Sequence, residues 1–491
     1  MNPKTKSDRR FLSARPLVAL AAALLSAGPA AAQPVNDLWA NKCASCHGTN
    51  AQGTTALSLT AASDWLGTND RALYDALLEH DTLDDGSTGA DLSAAQAWAL
   101  INYTRELQEQ ARKTREPAPT PKAGGVFEST HHNYKLETVI NSGLDTPWGV
   151  AWFEDGRMLI TERSGSLRVL DDTKLSDPVR NTPAVRAQSQ GGLLDVAVLL
   201  EPGNPDPWVY LSFADPQDRD GMTKVVRGKV RSAGRGALTW ADEQTIWQAD
   251  PDDYTGGGIH FGSRLVFDNQ GHLFFTIGER GQGTHAQDLT RPNGKVHRVN
   301  LDGSIPDDNP FVGRDEGGSG GGVYESIWSY GHRNPQGLAI DSNGTLWDTE
   351  HGPRGGDEIN IITKATNFGW PVISFGMNYN GTPLESPWPD VIGDDANAMA
   401  LPNFRWLPSI AACGLDIGRG PQFPNWNNDL FAGGLAGQVL ERLRFANGVI
   451  TEREELLRGI GRVRDVVTGP DGAIYVVLNG PDKVVRLVNA D

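Results

Sequence analysis

At 491 residues the chain is long enough for two or more domains, and its formal charge of −17 argues against nucleic acid and anionic membrane surfaces as partners. The imbalance is steeper in the body of the chain: the first 32 residues carry Lys4, Lys6, Arg9, Arg10 and Arg15 against Asp8, which leaves −21 on the rest. Three cysteines, Cys43, Cys46 and Cys413, are too few and odd in number for a disulfide framework.

The N-terminus has a basic region, an apolar run from Leu17 to Leu25, and Ala30-Ala31-Ala32 before Gln33. This describes a signal peptide over residues 1–32, cleaved near Ala32, and predicts export to a bacterial periplasm. Arg9-Arg10-Phe11-Leu12 approaches a twin-arginine pattern with the spacing off by one, so both export routes stay open. The apolar run is too short to span a bilayer and no later segment reaches that length.

Residues 33–110 read as a small helical unit. Val35, Leu38 and Trp39 form an apolar face leading into Cys43-Ala44-Ser45-Cys46-His47, and C-x-x-C-H is the attachment pattern of haem c: two thioethers, then a histidine for the iron. A dithiol pair or half a zinc site would need a different context from an export signal with no second cysteine pair nearby. Ser93 and Gln96 make a capping box ahead of Ala97, Leu100, Ile101, Tyr103 and Leu107, so a closing helix is predicted there. The unit resembles cytochrome c. That resemblance implies a second axial ligand shortly before the last helix, usually Met, yet no Met occurs between Met1 and Met158, and Asp85 falls at the position. His80 is the other histidine of the unit; it is either a solvated residue at a helix end or the second axial ligand, and an open iron site is the third possibility. Residues 111–126, with Pro117, Pro119 and Pro121, read as a semi-extended linker that leaves orientation free.

Residues 127–491 repeat one idea, an apolar strand, a turn of the D-G or N-G kind and a second apolar strand. It occurs at 147–170, 192–213, 264–277, 337–348, 414–443 and 463–477. Six such units predict a mainly β fold, a six-bladed β-propeller with the small all-α cytochrome c domain before it; long loops fall over 302–326 and 377–402. A β-sandwich with insertions gives no reason for the recurrence. Polar groups recur where the units begin: Gln190, His260, Arg333 with Asn334, and Arg462 with Arg464. A propeller converges such positions on one rim. Just past the hairpin at 337–348, Gly352 and Pro353 offer backbone carbonyls, with the carboxylates Asp357 and Glu358 close behind. A cation fork beside oxygen ligands suits a polyanionic cofactor held through a hard divalent metal such as calcium. The run Gly317 to Gly322 lacks the flanking strand and helix of a dinucleotide motif and reads as a loop, and Cys413 reads as a buried small hydrophobe.

The runs G-G-G-I-H-F-G-S-R-L-V-F-D (256–268), Q-G-G-L-L-D-V (190–196), G-S-I-P-D-D-N-P-F (303–311), G-H-R-N-P-Q-G-L-A (331–339), E-H-G-P-R-G-G-D-E-I-N (350–360) and R-D-V-V-T-G-P-D-G (464–472) resemble the soluble glucose and aldose sugar dehydrogenases that use pyrroloquinoline quinone (PQQ). The similarity runs over residues 130–490. It implies His260 as general base for an aldose C1 hydroxyl and Arg333 as the group stabilising charge on the quinone. It implies Gln190, Asn334, Tyr379, Arg462 and Arg464 as further PQQ contacts, Gly352 and Pro353 as carbonyl ligands of the catalytic calcium, and Glu358 with the Phe368 backbone at a structural calcium. Two positions depart from the family: Ala436 stands where it has a cofactor-binding lysine, and Ile259 where the best-known glucose enzyme has an acid.

The resemblance predicts a periplasmic quinohaemoprotein: an aldose sugar is oxidised at C1 to the lactone with PQQ and Ca2+, electrons pass to the tethered haem c, and an external one-electron carrier, a soluble cytochrome or copper protein, takes them on. The alternatives are a calcium-dependent propeller hydrolase such as a lactonase, marked by side-chain carboxylates around a channel metal, or a carbohydrate-binding propeller fused to a cytochrome, to which Ala436 points.

Overall fold

A computed structural model describes residues 33–56, 58–60, 70–314, 322–384 and 399–491. The export signal over residues 1–32 lies outside them, as do most of the Gly317 to Gly322 run and the middle of the 377–402 loop.

The body is six antiparallel sheets arranged in a ring. Blade 1 is Pro147–Trp152, Met158–Glu162, Leu167–Asp171 and Lys174–Leu175; blade 2 is Leu193–Leu199, Trp208–Gln217, Asp220–Gly234 and Ala237–Trp247. Blade 3 is Leu265–Phe267, His272–Ile277, Lys295–Asn300 and Ile327–Tyr330, and blade 4 is Pro335–Ile340, Leu346–Glu350, Asp357–Ile362 and Phe404–Trp406. Blade 5 is Ala412–Ile417, Leu430–Gly434, Val439–Ala446 and Val449–Arg458. Blade 6 takes Arg462–Thr468, Ile474–Asn479 and Lys483–Asn489 from the C-terminal end of the chain, and Tyr134–Ile140 and Val126–Phe127 from before blade 1. Tyr134 pairs with Asn489 and Leu136 with Leu487, so strands from opposite ends of the domain close the ring. The inner strand of each blade packs on the inner strand of the next, the sixth on the first.

Six apolar clusters fill the gaps between blades. Leu159, Phe213 and Trp240 sit between blades 1 and 2, Tyr210 and Phe275 between 2 and 3, and Phe274 and Leu346 between 3 and 4. Trp347 and Leu443 join blades 4 and 5, Phe431 and Ile474 join 5 and 6, and Ile160 and Val477 join 6 and 1. Alternate residues of one strand therefore serve two clusters, as the period of two requires. Phe274 and Phe275 show it directly. The hairpin turns read in the sequence end on glycines with positive φ, 88° at Gly156 and 78° at Gly472.

The N-terminal unit has four helices, α1 (Val35–Lys42), α2 (Ala44–His47), α3 (Asp70–Leu78) and α4 (Ala94–Arg115). Ser93 and Gln96 form the capping box of α4. Helix α4 does not stop at the expected boundary but continues through Arg115, into the run read as an extended linker. The reason is tertiary: Glu109 and Arg112 of α4 meet Arg453 and Glu455 of blade 5, with Arg453 Nη1 3.0 Å from Glu109 and Arg112 Nη2 2.9 Å from Glu455. Asp70, at the start of α3, pairs with Arg105 of α4 at 2.5 Å and with Arg405 of blade 4. The propeller residues Ile373, Phe375 and Met377 belong to the same buried cluster as Leu38, Trp39 and Trp98. The helical unit is thus docked on the propeller, where the sequence suggested a free tether.

Candidate active site

In an up-and-down blade, the connection entering the inner strand and the one joining the second and third strands share an end. Gln190, His260, Arg333 and Arg462 lie on or beside the first kind of connection; Glu279, Gly352, Pro353 and Ala436 lie on the second. All therefore lie on one rim. The backbone of His260 is held in the left-handed region, φ 56°, with its N–H donating to Gln190 Oε1 at 2.7 Å. Its Nδ1 is hydrogen-bonded to Glu279 Oε1, while Glu279 Oε2 is buried and unpartnered. Asn334 Oδ1 accepts from the Gly262 N–H at 3.1 Å. These loops close around Gly278, where a Cβ would collide with the His260 carbonyl oxygen and lie 2.7 Å from Asn334 Oδ1. Burial pulls the His260 pKa below the usual imidazole range; Glu279 opposes this and the Arg333 charge adds to it. The imidazole is neutral at physiological pH, and with Nδ1 engaged by Glu279 its Nε2 is the free basic atom.

Arg333 donates from Nη1 to the carbonyls of His351 (3.2 Å) and Gly352 (2.9 Å) and from Nη2 to the Tyr379 hydroxyl (3.4 Å), and its Nε is buried without a partner. Arg464 reaches Gln336 Oε1 at 3.3 Å, Cys413 Sγ at 3.5 Å and Asn479 Oδ1 at 3.2 Å, none of them a carboxylate. Arg462 is exposed. Among the described residues none of these three arginines forms an ion pair. One layer further in, by contrast, Arg264 is neutralised by Asp195 (3.1 Å) and Asp465 (2.7 Å). His351 reports the resulting field: burial first, then the charges of Arg333, His260, Arg464 and Arg462, hold its pKa well below the imidazole range. A rim with uncompensated guanidinium groups is built for a polyanion. PQQ, a tricarboxylate quinone, fits that character.

Gly352 and Pro353 follow His351 at the same rim, and the Gly352 N–H donates to Asp357 at 3.0 Å. Burial raises the Asp357 carboxyl to about 6. Beneath the rim, His332 Nδ1 lies 3.2 Å from Glu350 and 3.6 Å from Asp348, and Asn360 Nδ2 donates to Glu350 (3.2 Å) and Glu358 (3.3 Å). Both Asp348 oxygens and Asn360 Oδ1 are buried and unpartnered. Asp348 and Glu358 are pushed well above the carboxylate range by burial and then by the Glu350 charge. Phe368 stacks on His332 with centroids 4.6 Å apart, beside the Glu350 carboxylate that His332 meets. Orphaned hard oxygens in a buried carboxylate cluster fit a divalent cation.

In the helical unit Cys43 and Cys46 are free thiols within one turn, followed by His47. Burial, with Asp84 next, pushes the Cys43 thiol up to about 12. Trp39 tilts against His47 with centroids 6.4 Å apart, and Tyr103 meets Trp39 edge-on at 5.8 Å. The donor set of two thiols and an imidazole fits haem c. His80 is exposed at the end of α3, with its carbonyl accepting from the Gly89 N–H. Asp85 is committed to Lys42 Nζ at 2.7 Å.

The fold brings Gln190, His260, Arg333, Asn334, Gly352, Pro353, Arg462 and Arg464 to one rim, with Tyr379 reaching it from a long loop; Glu358 and Phe368 lie below it. Glu279 and His351 at the rim, with Asp348 and Glu350 below it, escaped sequence reasoning. Glu279 sits between the second and third strands of blade 3, the position equivalent to Gly352 and Pro353 in blade 4, and that equivalence was the available signal. His351 lies within the family-like run 350–360 but carries no distinguishing spacing.

A rim base among unpaired cations, carried on a propeller with a C-x-x-C-H unit docked to it, defines an oxidoreductase that works with cofactors. The chain belongs to the Glucose / Sorbosone dehydrogenase family, which matches residues 144–486, and it carries a Cytochrome c domain matching residues 32–108. It is 40% identical over 338 residues to aldose sugar dehydrogenase YliI of Escherichia coli, covering 68% of this chain and 87% of that one. It is 32% identical over 265 residues to quinoprotein glucose dehydrogenase B of Acinetobacter calcoaceticus, 48% of this chain and 52% of that protein. The crystal structure of the soluble E. coli aldose sugar dehydrogenase in its apo form superimposes with a TM-score of 0.64 at 37% identity, covering 73% of this chain and all of that one.

Proposed function

We propose that the protein is an exported quinohaemoprotein that oxidises an aldose at C1 to the lactone and passes the electrons singly to the haem c of its own N-terminal domain. When bound, PQQ supplies a two-electron acceptor at the rim. His260 Nε2 takes the proton of the anomeric hydroxyl, with Glu279 fixing the ring through Nδ1. Arg333 stabilises negative charge at the quinone oxygens, Arg462 and Arg464 face its carboxylates, and Gln190, Asn334 and Tyr379 complete its contacts. The Gly352 and Pro353 carbonyls would hold the catalytic calcium, and Glu358 and the Phe368 backbone, with Asp348 and Glu350, would hold a second. Cys43 and Cys46 would bind haem covalently, and His47, with or without His80, would ligate its iron.

The observation that carries this reading is the rim's charge: three arginines without carboxylate partners beside a histidine kept neutral. A hydrolase built on a channel metal is disfavoured, because the channel carboxylates Asp195 and Asp465 are both engaged by the Arg264 guanidinium. Among the described residues no helix is long and apolar enough to cross a membrane. We place the mature protein in the periplasm, where a soluble cytochrome or copper protein would reoxidise the haem.

The test is the visible spectrum of anaerobic, oxidised protein reconstituted with Ca2+ and PQQ, before and after a panel of aldoses. Haem reduction that requires both quinone and sugar is the expected result. Reduction of an added dye with the haem left oxidised would remove the internal relay, and no response of either would remove the dehydrogenase reading.

A further inference from the structure

We infer that the cytochrome c domain forms the outer wall of the cofactor site, clamping the propeller segment that carries the Pro353 carbonyl and Tyr379. The inference rests on the reading of that rim as the quinone site, but its structural half stands on contacts alone. The segment is a clip: Arg354 and Met377 exchange backbone hydrogen bonds of 3.0 and 2.8 Å, so residues 353–355 and 376–381 move together. Inside the clip, the Tyr379 hydroxyl meets Arg333, whose Nη1 also binds the Gly352 carbonyl.

The outer side of the clip is held by the helical unit at three points. The Val35 N–H at the start of α1 donates to the Gly381 carbonyl at 2.8 Å. From α4, Asn102 Nδ2 donates to the Gly376 carbonyl at 3.4 Å and Glu106 Oε2 lies 3.4 Å from Arg354 Nη2. Met377, fully buried, sits in the cytochrome's own apolar cluster. A freely tethered carrier would leave Met377 and the backbone carbonyls of this segment to solvent. Here the second domain supplies their partners, so the order of the Tyr379 segment is a property of the docked pair. A ligand that needs one ordered state of a loop loses apparent affinity in proportion to the fraction of time that state is lost.

The experiment uses the full-length, haem-loaded protein and two changes on the cytochrome side. Glu106→Lys sets a cation against Arg354. Val35→Pro deletes the N–H at the first helical position, where proline is tolerated and the residue remains apolar. Hydrogen exchange of the 373–381 amides is read without quinone, and PQQ affinity is read by titration. Faster exchange confined to this segment, a roughly tenfold weaker Kd for PQQ, an unchanged haem spectrum, and restoration of both by adding Arg354→Glu to Glu106→Lys are expected. Unchanged exchange in both variants, or a loss that the charge swap does not restore, would overturn the inference. Failure of the wild-type protein to bind PQQ would instead remove the proposed function, while the exchange result would still decide whether the cytochrome orders the segment.

Discussion

His260 serves as a base because it is neutral, and its neighbours set that state in opposite directions. Burial and Arg333 push the imidazole toward the neutral form while Glu279 favours the cation. Replacing Glu279 with Gln removes the upward influence, so the acid limb of the kcat/KM profile should move to lower pH. The rate at its plateau should fall about 100-fold, because the ring loses the carboxylate that orients it. An acid limb that stays in place or moves up would show that Glu279 does not act through His260. Ala436 allows a gain in place of a loss. It is exposed in the turn between the second and third strands of blade 5, and Ala436→Lys should tighten PQQ binding up to about fivefold, the scale of one exposed charge pair. An unchanged titration would mean that this turn does not face the cofactor. His260 and the arginines were legible in the sequence because each stands at or just before the start of a repeating unit. Glu279 and His351 were not, because their roles come from burial and from charges on other blades.

At the scale of elements, the first strands of every blade were legible and the outer ones were not. Inner strands such as Pro335–Ile340, apolar but for Gln336, end in turns that need glycine. An outer strand such as Val449–Arg458 mixes charges with apolar residues because one edge faces solvent or the docked domain. The extent of α4 was hidden for the same reason: Arg112 reads as linker until Glu455 is placed beside it. Of the buried carboxylates of blade 4, Asp357 and Glu358 were legible in the sequence; the register that sets Asp348 beside Asn360 and Glu350 beside Glu358 brings in the rest. Asp348 and Glu358, which burial disfavours as anions, should make the protein respond to calcium in its stability. Ca2+ at about 100 times Kd should add roughly 2.7 kcal/mol, read as a rise in Tm, and Asp348→Asn should abolish most of that rise while leaving the metal-free protein folded. A variant that keeps the full calcium response would place the stabilising ion elsewhere.

Across the whole molecule, the question is whether haem domain and propeller unfold as one body. Their interface is an alternating stack of buried charges: Arg453 lies between Glu441 (2.6 Å) and Glu109 (3.0 Å), and Arg112 lies between Glu109 (2.8 Å) and Glu455 (2.9 Å). Burial alone would raise the Glu109 carboxyl, but Arg453 and Arg112 outweigh it and hold its pKa at about 2. A carboxyl depressed in the folded state stabilises it above the unfolded pKa, roughly 4.3, and that contribution drains away as pH falls toward about 2. The two domains should therefore melt together at neutral pH, with the haem band and propeller tryptophan fluorescence giving one midpoint, and separate only in acid below about pH 4. Glu109→Ala removes the carboxylate between Arg453 and Arg112 and leaves each with one remaining buried partner, Glu441 and Glu455, a loss of roughly 1.5–3 kcal/mol, the scale of a hydrogen bond to a charged group. In that variant the haem transition should precede the propeller transition already at pH 7. Coincident midpoints in the variant would mean that the apolar contacts of Ile373, Phe375 and Met377 hold the dock without the charges, and separate midpoints in the wild type would mean that the two domains meet without sharing stability.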